Sequence, residues 1–336
     1  MIIADKTYIQ NPLVSVFIIA YNQEKTVAQT IESVLMQRGN FSMELIVGED
    51  AGTDGTRQIC IDYQKKYPEK IKLLLQDTNQ GLVKNFIDCL NLCRGEYIAL
   101  CAGDDYWIDE RKLEKQIEFL KNHPAYGVVS TGGYRLIVRK NKLKQGIAPL
   151  NPPADGEVFD LTWRGGVYAM PLSLMFRSNL LQYIDFDEFI KRKFSCEDVP
   201  MQAIMAKHTK FGHIADLTCV YRVYDTSMTF TSTNSPKFLY YHQGLVEIRR
   251  YLYELYPDEV EFSEVWAQDY MTYRRFLLAV YNVDYKSAKK ELSQLNNITE
   301  KESRAIKYCS NRLSFYLFCL GKKLKLYKAR WKNSSE

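Results

Sequence analysis

The first 125 residues alternate between short β-branched apolar runs and stretches with helical periodicity, and few folds accommodate that rhythm. Residues 13–20, Leu-Val-Ser-Val-Phe-Ile-Ile-Ala, are apolar throughout and too short for a helix, which predicts a parallel strand buried on both faces. Val27, Ile31, Val34 and Leu35 then recur at i, i+4, i+7 and i+8, until Gln37-Arg38-Gly39-Asn40 ends the pattern. The same reading predicts strands over 43–48, 71–76 and 97–101 and helices over 55–66, 82–93 and 111–121. Such βα repetition gives an α/β fold, a doubly wound and mainly parallel sheet flanked by helices.

Beyond residue 126 the rhythm changes. Strand-like runs stand at 127–131 and 134–138, and a Lys-rich, Pro-containing stretch over 140–153 reads as a loop or mobile flap. A helix over 197–207 and a pair of strand segments over 212–224 follow. From about residue 235 long amphipathic stretches, 238–255, 262–281, 286–295 and 300–332, predict a C-terminal helical appendage. A chain of 336 residues is long enough for two domains. Its net charge of +5 comes from 45 Lys+Arg set against 40 Asp+Glu, so no nucleic-acid partner is implied. The eight cysteines sit singly in apolar runs, as small core residues of a reducing compartment do. Cys89 and Cys93 are four apart in a helical stretch, unlike a zinc-site turn, and His123, His208, His213 and His242 show no ligand spacing. With neither a leader pattern nor about 18 consecutive apolar residues, the expectation is a cytoplasmic protein, at most held on a membrane surface.

In an open parallel sheet, ligands bind outside the carboxyl ends of the strands. After the first strand stand Ala20-Tyr21-Asn22-Gln23-Glu24; without glycine, neither a dinucleotide fingerprint nor a P-loop can form there. After the second come Glu49 and Asp50, then the polar turn Ala51-Gly52-Thr53-Asp54-Gly55-Thr56. After the fourth come Gly103-Asp104-Asp105-Tyr106-Trp107. Adjacent carboxylates at a strand end repel each other unless a cation joins them, and a hard ion such as Mg²⁺ or Mn²⁺, shared with substrate phosphates, suits them. Asp104 and Asp105 could instead cap the following helix.

Together these runs, with Ile31-Glu32-Ser33-Val34-Leu35-Met36-Gln37, Asn79-Gln80-Gly81, Lys84-Asn85 and Gly95-Glu96-Tyr97-Ile98-Ala99, closely resemble the family 2 glycosyltransferases, inverting enzymes with the Rossmann-like GT-A fold. The resemblance covers about residues 12–225 and is specific for the fold rather than for the sugar. It implies that Tyr21 contacts uracil and that Asp50 hydrogen-bonds the uracil edge. It further implies that Lys84 reaches the nucleotide or diphosphate, that Asp104 contacts ribose or donor sugar, and that Asp105 binds the metal, Mn²⁺ or Mg²⁺. In Ser195-Cys196-Glu197-Asp198-Val199-Pro200 it makes Asp198 the catalytic base, where a helix cap is the rival reading. Against each stands a plainer role, a core-edge aromatic for Tyr21 and a solvated helix lysine for Lys84. Two departures, Glu49 for the usual Asp and Ile19-Ala20 for a common Pro, touch only nucleoside contact. A third, Tyr224 where similar enzymes often carry a His, puts a His metal ligand there in doubt.

The expected organisation is a GT-A domain over 1–230, its nucleotide-sugar half at about 12–125 and its acceptor half at about 126–230, followed by a helical region over 231–336. The expected function is metal-dependent, inverting transfer of a sugar from a nucleotide sugar, UDP-linked by preference, to a glycan or lipid-linked acceptor in cell-surface polysaccharide synthesis. Two alternatives remain: a non-catalytic glycan- or partner-binding module of the same fold, and a sugar nucleotidyltransferase. The latter needs a Gly-rich, Arg-containing loop after the first strand, unlike Ala20-Tyr21-Asn22. The tail over 311–332 mixes ten apolar or aromatic residues such as Leu313 and Trp331 with basic ones and no acid, so it suits either the inner face of the cell membrane or packing on the domain. A homo-oligomer is left open.

Overall fold

A computed structural model of the chain describes residues 1–146, 155–165, 168–224, 236–296, 307, 309 and 311–320. Two compact units divide it, Met1–Val223 and Tyr224–Glu336.

In the first unit ten described strands form one sheet. They are β1 (Ile2–Ile3), β2 (Val14–Ala20), β3 (Met43–Glu49), β4 (Ile71–Leu75), β5 (Tyr97–Ala102), β6 (Tyr106–Trp107), β7 (Tyr126–Ile137), β8 (Lys142–Gln145), β9 (Met175–Arg177) and β10 (Lys210–Val223). The order is β1-β4-β3-β2-β5-β9-β7-β10-β6, with β8 beside β7. Strands β4, β3, β2 and β5 pair in parallel, as do β7 and β10, while β1, β6, β8 and β9 pair antiparallel to their neighbours. Helices α1 (Val27–Leu35), α2 (Thr56–Lys66), α3 (Leu82–Leu90) and α4 (Lys112–Asn122) follow the first four long strands. Further on come α5 (Phe159–Gly165), α6 (Phe186–Lys191) and α7 (Asp198–His208).

Strand β2 explains the architecture. All seven of its residues are buried, and β3 and β5 flank it in parallel. The chain steps from β2 outward through β3 to β4 and then returns to β5 on the other side, so the strand order reverses at β2 and opens a crevice at the carboxyl ends of β2 and β5. Val14, Val16 and Ile18 enter the core with Val27, Ile31 and Val34 of α1.

Two segments differ from the sequence expectation. The pairs of short strands expected over 127–138 and 212–224 are single long strands, β7 and β10, paired in parallel with register shifts at Ile214/Leu217 and Leu217/Cys219. Glycines and polar residues that read as breaks instead allow close strand approach: a Cβ on Gly132 would lie 2.9 Å from Leu217 Cδ2 and 3.0 Å from the Ala215 carbonyl oxygen. The stretch expected to be a loop over 140–153 begins as a hairpin, with β8 pairing β7 across Asn141 at φ 47°; residues 147–153 lie outside the described residues.

At the amino end of the sheet a polar lock holds the strands. Glu44, wholly buried, accepts from Tyr8 Oη at 2.8 Å, Ser15 Oγ at 2.6 Å, the Arg94 N–H at 2.8 Å and Arg94 Nη2 at 2.8 Å. Burial pushes the Glu44 carboxyl up, but these hydrogen bonds outweigh it and leave the group below the usual glutamate range. Its stability contribution is therefore present above that range and lost as pH falls through the depressed folded value. Arg94→Ala should lower unfolding stability by about 2 to 3 kcal/mol, at the low end for a broken buried pair because Arg94 is 36% exposed. Urea unfolding at neutral and acidic pH checks this, and an equal loss at both would refute the pairing as the cause.

The second unit comprises α8 (Pro236–Leu255), α9 (Glu264–Tyr281), α10 (Tyr285–Leu292) and helical residues 312–320. Ser263 caps α9 through the Trp266 N–H at 3.1 Å, and Asp284 caps α10 through the Ser287 N–H at 3.0 Å. Tyr273, Phe276, Ala288, Leu292, Phe315 and Cys319 form part of its core. No helix among the described residues is long and apolar enough to cross a membrane. Residues 321–332, the basic half of the expected membrane-binding tail, lie outside the described residues. All eight cysteines are free thiols.

Candidate active site

Asn22 and Ala51 turn the chain sharply at the ends of β2 and β3, with left-handed φ of 53° and 55°. Asparagine tolerates that region, whereas at Ala51 it costs roughly 1 kcal/mol, a strain typical of functional loops. Asn22 Oδ1 accepts the Thr53 N–H at 2.7 Å, joining the two turns. Tyr21, just past β2, is 46% exposed, so its ring is open to a ligand.

The acids at the end of β3 divide their work. Glu49 is buried, receives Arg57 Nε at 2.5 Å and the Gly52 N–H at 2.5 Å, and so builds the turn. Asp50 organises a segment thirty residues on: its Oδ1 accepts the Gln80 N–H at 2.7 Å and its Oδ2 the Gly81 N–H at 2.9 Å, while Asn79 Nδ2 donates to its carbonyl at 3.1 Å. Gly81 sits at φ 84°, which glycine adopts without strain. Burial raises the Asp50 carboxyl against these two donors. Lys84, on α3, is ion-paired with Asp88 one helical turn on, so the structure shows it in a local pair.

The acids after β5 are held from two directions. The Gly103 N–H reaches the Ile19 carbonyl at 2.9 Å, and a Cβ on Gly103 would lie 2.3 Å from Gln23 Oε1 and 3.1 Å from the Ile19 carbonyl oxygen, so a side chain there would displace the Gln23 amide and crowd β2. From α1 and its N-cap residue Thr26, a buried polar stripe at i, i+4 and i+7 grips the loop. Thr26 Oγ1 donates to the Gly103 carbonyl at 2.9 Å, Thr30 Oγ1 to the Asp105 carbonyl at 2.6 Å, and Ser33 Oγ accepts the Trp107 N–H at 3.1 Å. From the end of β10, the Arg222 N–H donates to Asp105 Oδ1 at 2.7 Å and Arg222 Nη1 to the Asp104 carbonyl at 2.6 Å. The Arg222 guanidinium also lies 4.5 Å from the centre of the Tyr106 ring and donates to Gln29. Neither the α1 stripe nor Arg222 was assigned a role from sequence; the Thr-x-x-x-Thr-x-x-Ser spacing on an otherwise apolar helix face was the available signal.

Burial pushes Asp104 up, and burial together with the Asp104 charge pushes Asp105 well above the carboxylate range. Among the described residues only the Arg222 N–H donates to the Asp105 carboxylate. Two desolvated acids with an uncommitted oxygen fit a hard divalent ion. No group of three or more His, Cys, Asp or Glu able to hold a metal occurs among the described residues, so such an ion would take most of its ligands from substrate phosphates and water.

Asp198 opens α7, directly after Glu197, and its Oδ1 accepts the Val199 N–H at 2.9 Å. Burial drives both carboxyls up, and among the described residues Glu197 Oε2 is buried without a hydrogen-bond partner. The helix is anchored by Gln202, which accepts the Tyr168 N–H at 2.9 Å and donates to the Ala169 carbonyl at 3.1 Å. The structure thus gathers Tyr21, Asp50, Asp104 and Asp105 at the carboxyl ends of β2, β3 and β5; no hydrogen bond or ion pair among the described residues joins Asp198 to them.

Comparison with known proteins agrees with this architecture. An uncharacterized protein of Mycobacterium tuberculosis is 44% identical over 110 residues, 33% of this chain and 32% of that one. The Escherichia coli protein WfgD, a UDP-Glc:α-D-GlcNAc-diphosphoundecaprenol β-1,3-glucosyltransferase, is 33% identical over 138 residues, 41% of this chain and 51% of its own. The chain thus spans about a third to a half of these relatives. Among solved structures, the mannosyltransferase PcManGT of Pyrobaculum calidifontis, in complex with GDP-Man and Mn²⁺, superposes with a TM-score of 0.56 at 15% identity, covering 97% of this chain and 84% of that one. TarS 1–349 of S. aureus, in complex with UDP-GlcNAc, gives 0.53 at 16% identity, covering 84% and 81%. At these identities the likeness concerns the fold, which is GT-A with added C-terminal helices. The model of glycosyl transferase family 2 matches residues 15–183, half of the chain, and this protein belongs to that family.

Proposed function

We propose that the protein moves a sugar from a nucleotide sugar, most naturally a UDP-sugar, onto a glycan or lipid-linked acceptor, inverting the anomeric centre, in cell-surface polysaccharide synthesis. The observation that carries this reading is the convergence of Asp50, Asp104 and Asp105 on the crevice where the strand order reverses. The relative WfgD, whose donor is UDP-Glc and whose acceptor is a diphosphoundecaprenol-linked sugar, supports the donor and acceptor classes. In this reading residues 1–230 are the transferase domain, with a donor half at about 12–125 and an acceptor half at about 126–230, and 231–336 are an accessory helical region of a cytoplasmic, membrane-peripheral enzyme.

Tyr21 stacks on the base, and Asp50 accepts from the uracil edge through a lone pair left over by the Gln80 and Gly81 amides. Lys84 exchanges Asp88 for the diphosphate, and Asp104 orients ribose or donor sugar. Asp105 holds the divalent ion, Mn²⁺ or Mg²⁺, which when bound offsets charge growing on the leaving diphosphate. Asp198 accepts the proton of the acceptor hydroxyl as that oxygen bonds to the anomeric carbon. The bond to the diphosphate breaks on the opposite face, its electron pair leaving with the phosphate oxygen.

Calorimetric titration with UDP, GDP and their sugar derivatives, in Mn²⁺ and in EDTA, tests this. The expected result is Mn²⁺-dependent binding of UDP and UDP-sugars. The neighbour PcManGT holds GDP-Man, which makes guanosine nucleotides the informative control. Absence of all nucleotide binding would leave a non-catalytic glycan- or partner-binding module.

A further inference from the structure

The second unit carries a cavity that the catalytic reading does not use. It measures about 740 Å³ and is lined by residues of the α9–α10 turn, of α10 and of helix 312–320. Lys286, Lys289 and Lys290 stand at i, i+3 and i+4 on α10, and Arg312 faces them with its guanidinium 6.0 Å from the Tyr285 ring centre. One acid, Asp284, lines the cavity, and its oxygens are committed to capping α10 through the Ser287 N–H and hydroxyl. The nearby Glu291 is taken by Arg275 at 2.8 Å. No ion pair among the described residues engages Lys289, Lys290 or Arg312. Four cations against one committed acid make a strongly electropositive hollow.

A second observation lies on its rim. Helix 312–320 turns Phe315 and Cys319 into the core, at 0% and 2% exposure, while Leu313, Tyr316, Leu317 and Leu320 remain 71%, 49%, 60% and 56% exposed. These four recur at i, i+3, i+4 and i+7, which makes one continuous apolar stripe. Tyr316 belongs to both the stripe and the cavity lining, so cations and apolar side chains adjoin. A soluble phosphate ligand would use the cations and leave the leucines in water, whereas an anionic bilayer uses both, phosphate at the lysines and acyl boundary at the leucines.

We propose that Lys286, Lys289, Lys290 and Arg312 form a binding site for the phosphate headgroups of an anionic lipid surface, with Leu313, Tyr316, Leu317 and Leu320 entering the headgroup–acyl boundary. The inference rests on the membrane-peripheral reading and deepens it, adding three lysines of α10 to Arg312 and the apolar stripe of the tail singled out from sequence.

Vesicle co-sedimentation of the full chain tests it, with phosphatidylcholine alone and with phosphatidylcholine containing phosphatidylglycerol. Wild-type protein should bind the anionic vesicles more tightly, and less so as salt rises. Each lysine near such a surface contributes about fivefold, so Lys289→Ala with Lys290→Ala should weaken partition roughly thirtyfold. Leu313→Gln with Leu317→Gln should weaken it by at least about tenfold. Equal binding to both vesicle types, or wild-type partition by the lysine variant, would overturn the proposal. So would calorimetric binding of inorganic phosphate that the lysine variant loses while vesicles go unbound, or a dimer that the leucine variant dissociates without any vesicle effect. UDP titration on the same preparations should be unchanged in both variants, which separates this site from the donor site.

Discussion

Asp198→Asn should lower turnover roughly 10²- to 10⁴-fold, the usual contribution of a positioned general base, with donor affinity unchanged. The substitution preserves the shape and the side-chain oxygen that accepts the Val199 N–H at 2.9 Å, so the start of α7 stays intact and only proton acceptance is removed. The pH profile carries a second signature. Burial raises the Asp198 carboxyl, and a base works only when deprotonated. The rate should therefore rise with pH through the raised value and level off above it, with its acid limb displaced upward from the ordinary carboxylate range. Because Glu197 is raised beside it, the limb belongs to the pair of acids. Equal turnover of wild type and variant, with acceptor present, would sink the assignment.

Asp105→Ala should abolish metal-dependent nucleotide binding and lower turnover about 10³-fold, since metal stabilisation of developing charge amounts to several kcal/mol. The alanine also removes the acceptor of the buried Arg222 N–H, so loss of function alone could reflect a disturbed loop. Asp105→Asn separates the two causes: the amide oxygen still accepts from Arg222, but the charge that would hold a divalent ion is gone. Both variants should lose the Mn²⁺ response in calorimetry, and the asparagine variant should keep wild-type thermal stability. An asparagine variant whose nucleotide binding still depends on Mn²⁺ would show that another group holds the ion.

The amino-terminal half of this fold was legible because its signals are local. An all-apolar β2 predicts a central strand whatever surrounds it, and polar residues after an apolar run sit at a strand end by construction. What escaped sequence reading depends on contacts across long separations. Thr30 reaches the Asp105 carbonyl 75 residues on, and Arg222 comes to Asp105 from 117 residues away. Neither distance has a periodicity to betray it. The long strands β7 and β10 were fragmented for a related reason: Gly132 and Ala215-Asp216 look like breaks alone, but paired they are a bulged ladder. Lys84 was read as a ligand group, and its pair with Asp88 was not anticipated, although a carboxylate one helical turn away lies within reach.

The hold that β10 has on the acidic loop bears on modularity. Strand β6, which follows Asp104-Asp105, pairs with Cys219 and Val220, and Arg222 seats both acids. Yet the family match ends at residue 183, before β10 begins. A recombination that exchanged everything after that point would carry away the strand on which the acids of the amino-terminal half rest. Transplantable units in this chain are therefore not successive blocks of sequence: residues 210–223 belong structurally with the amino-terminal half, and exchange that spares the acidic loop is confined to what is inserted between.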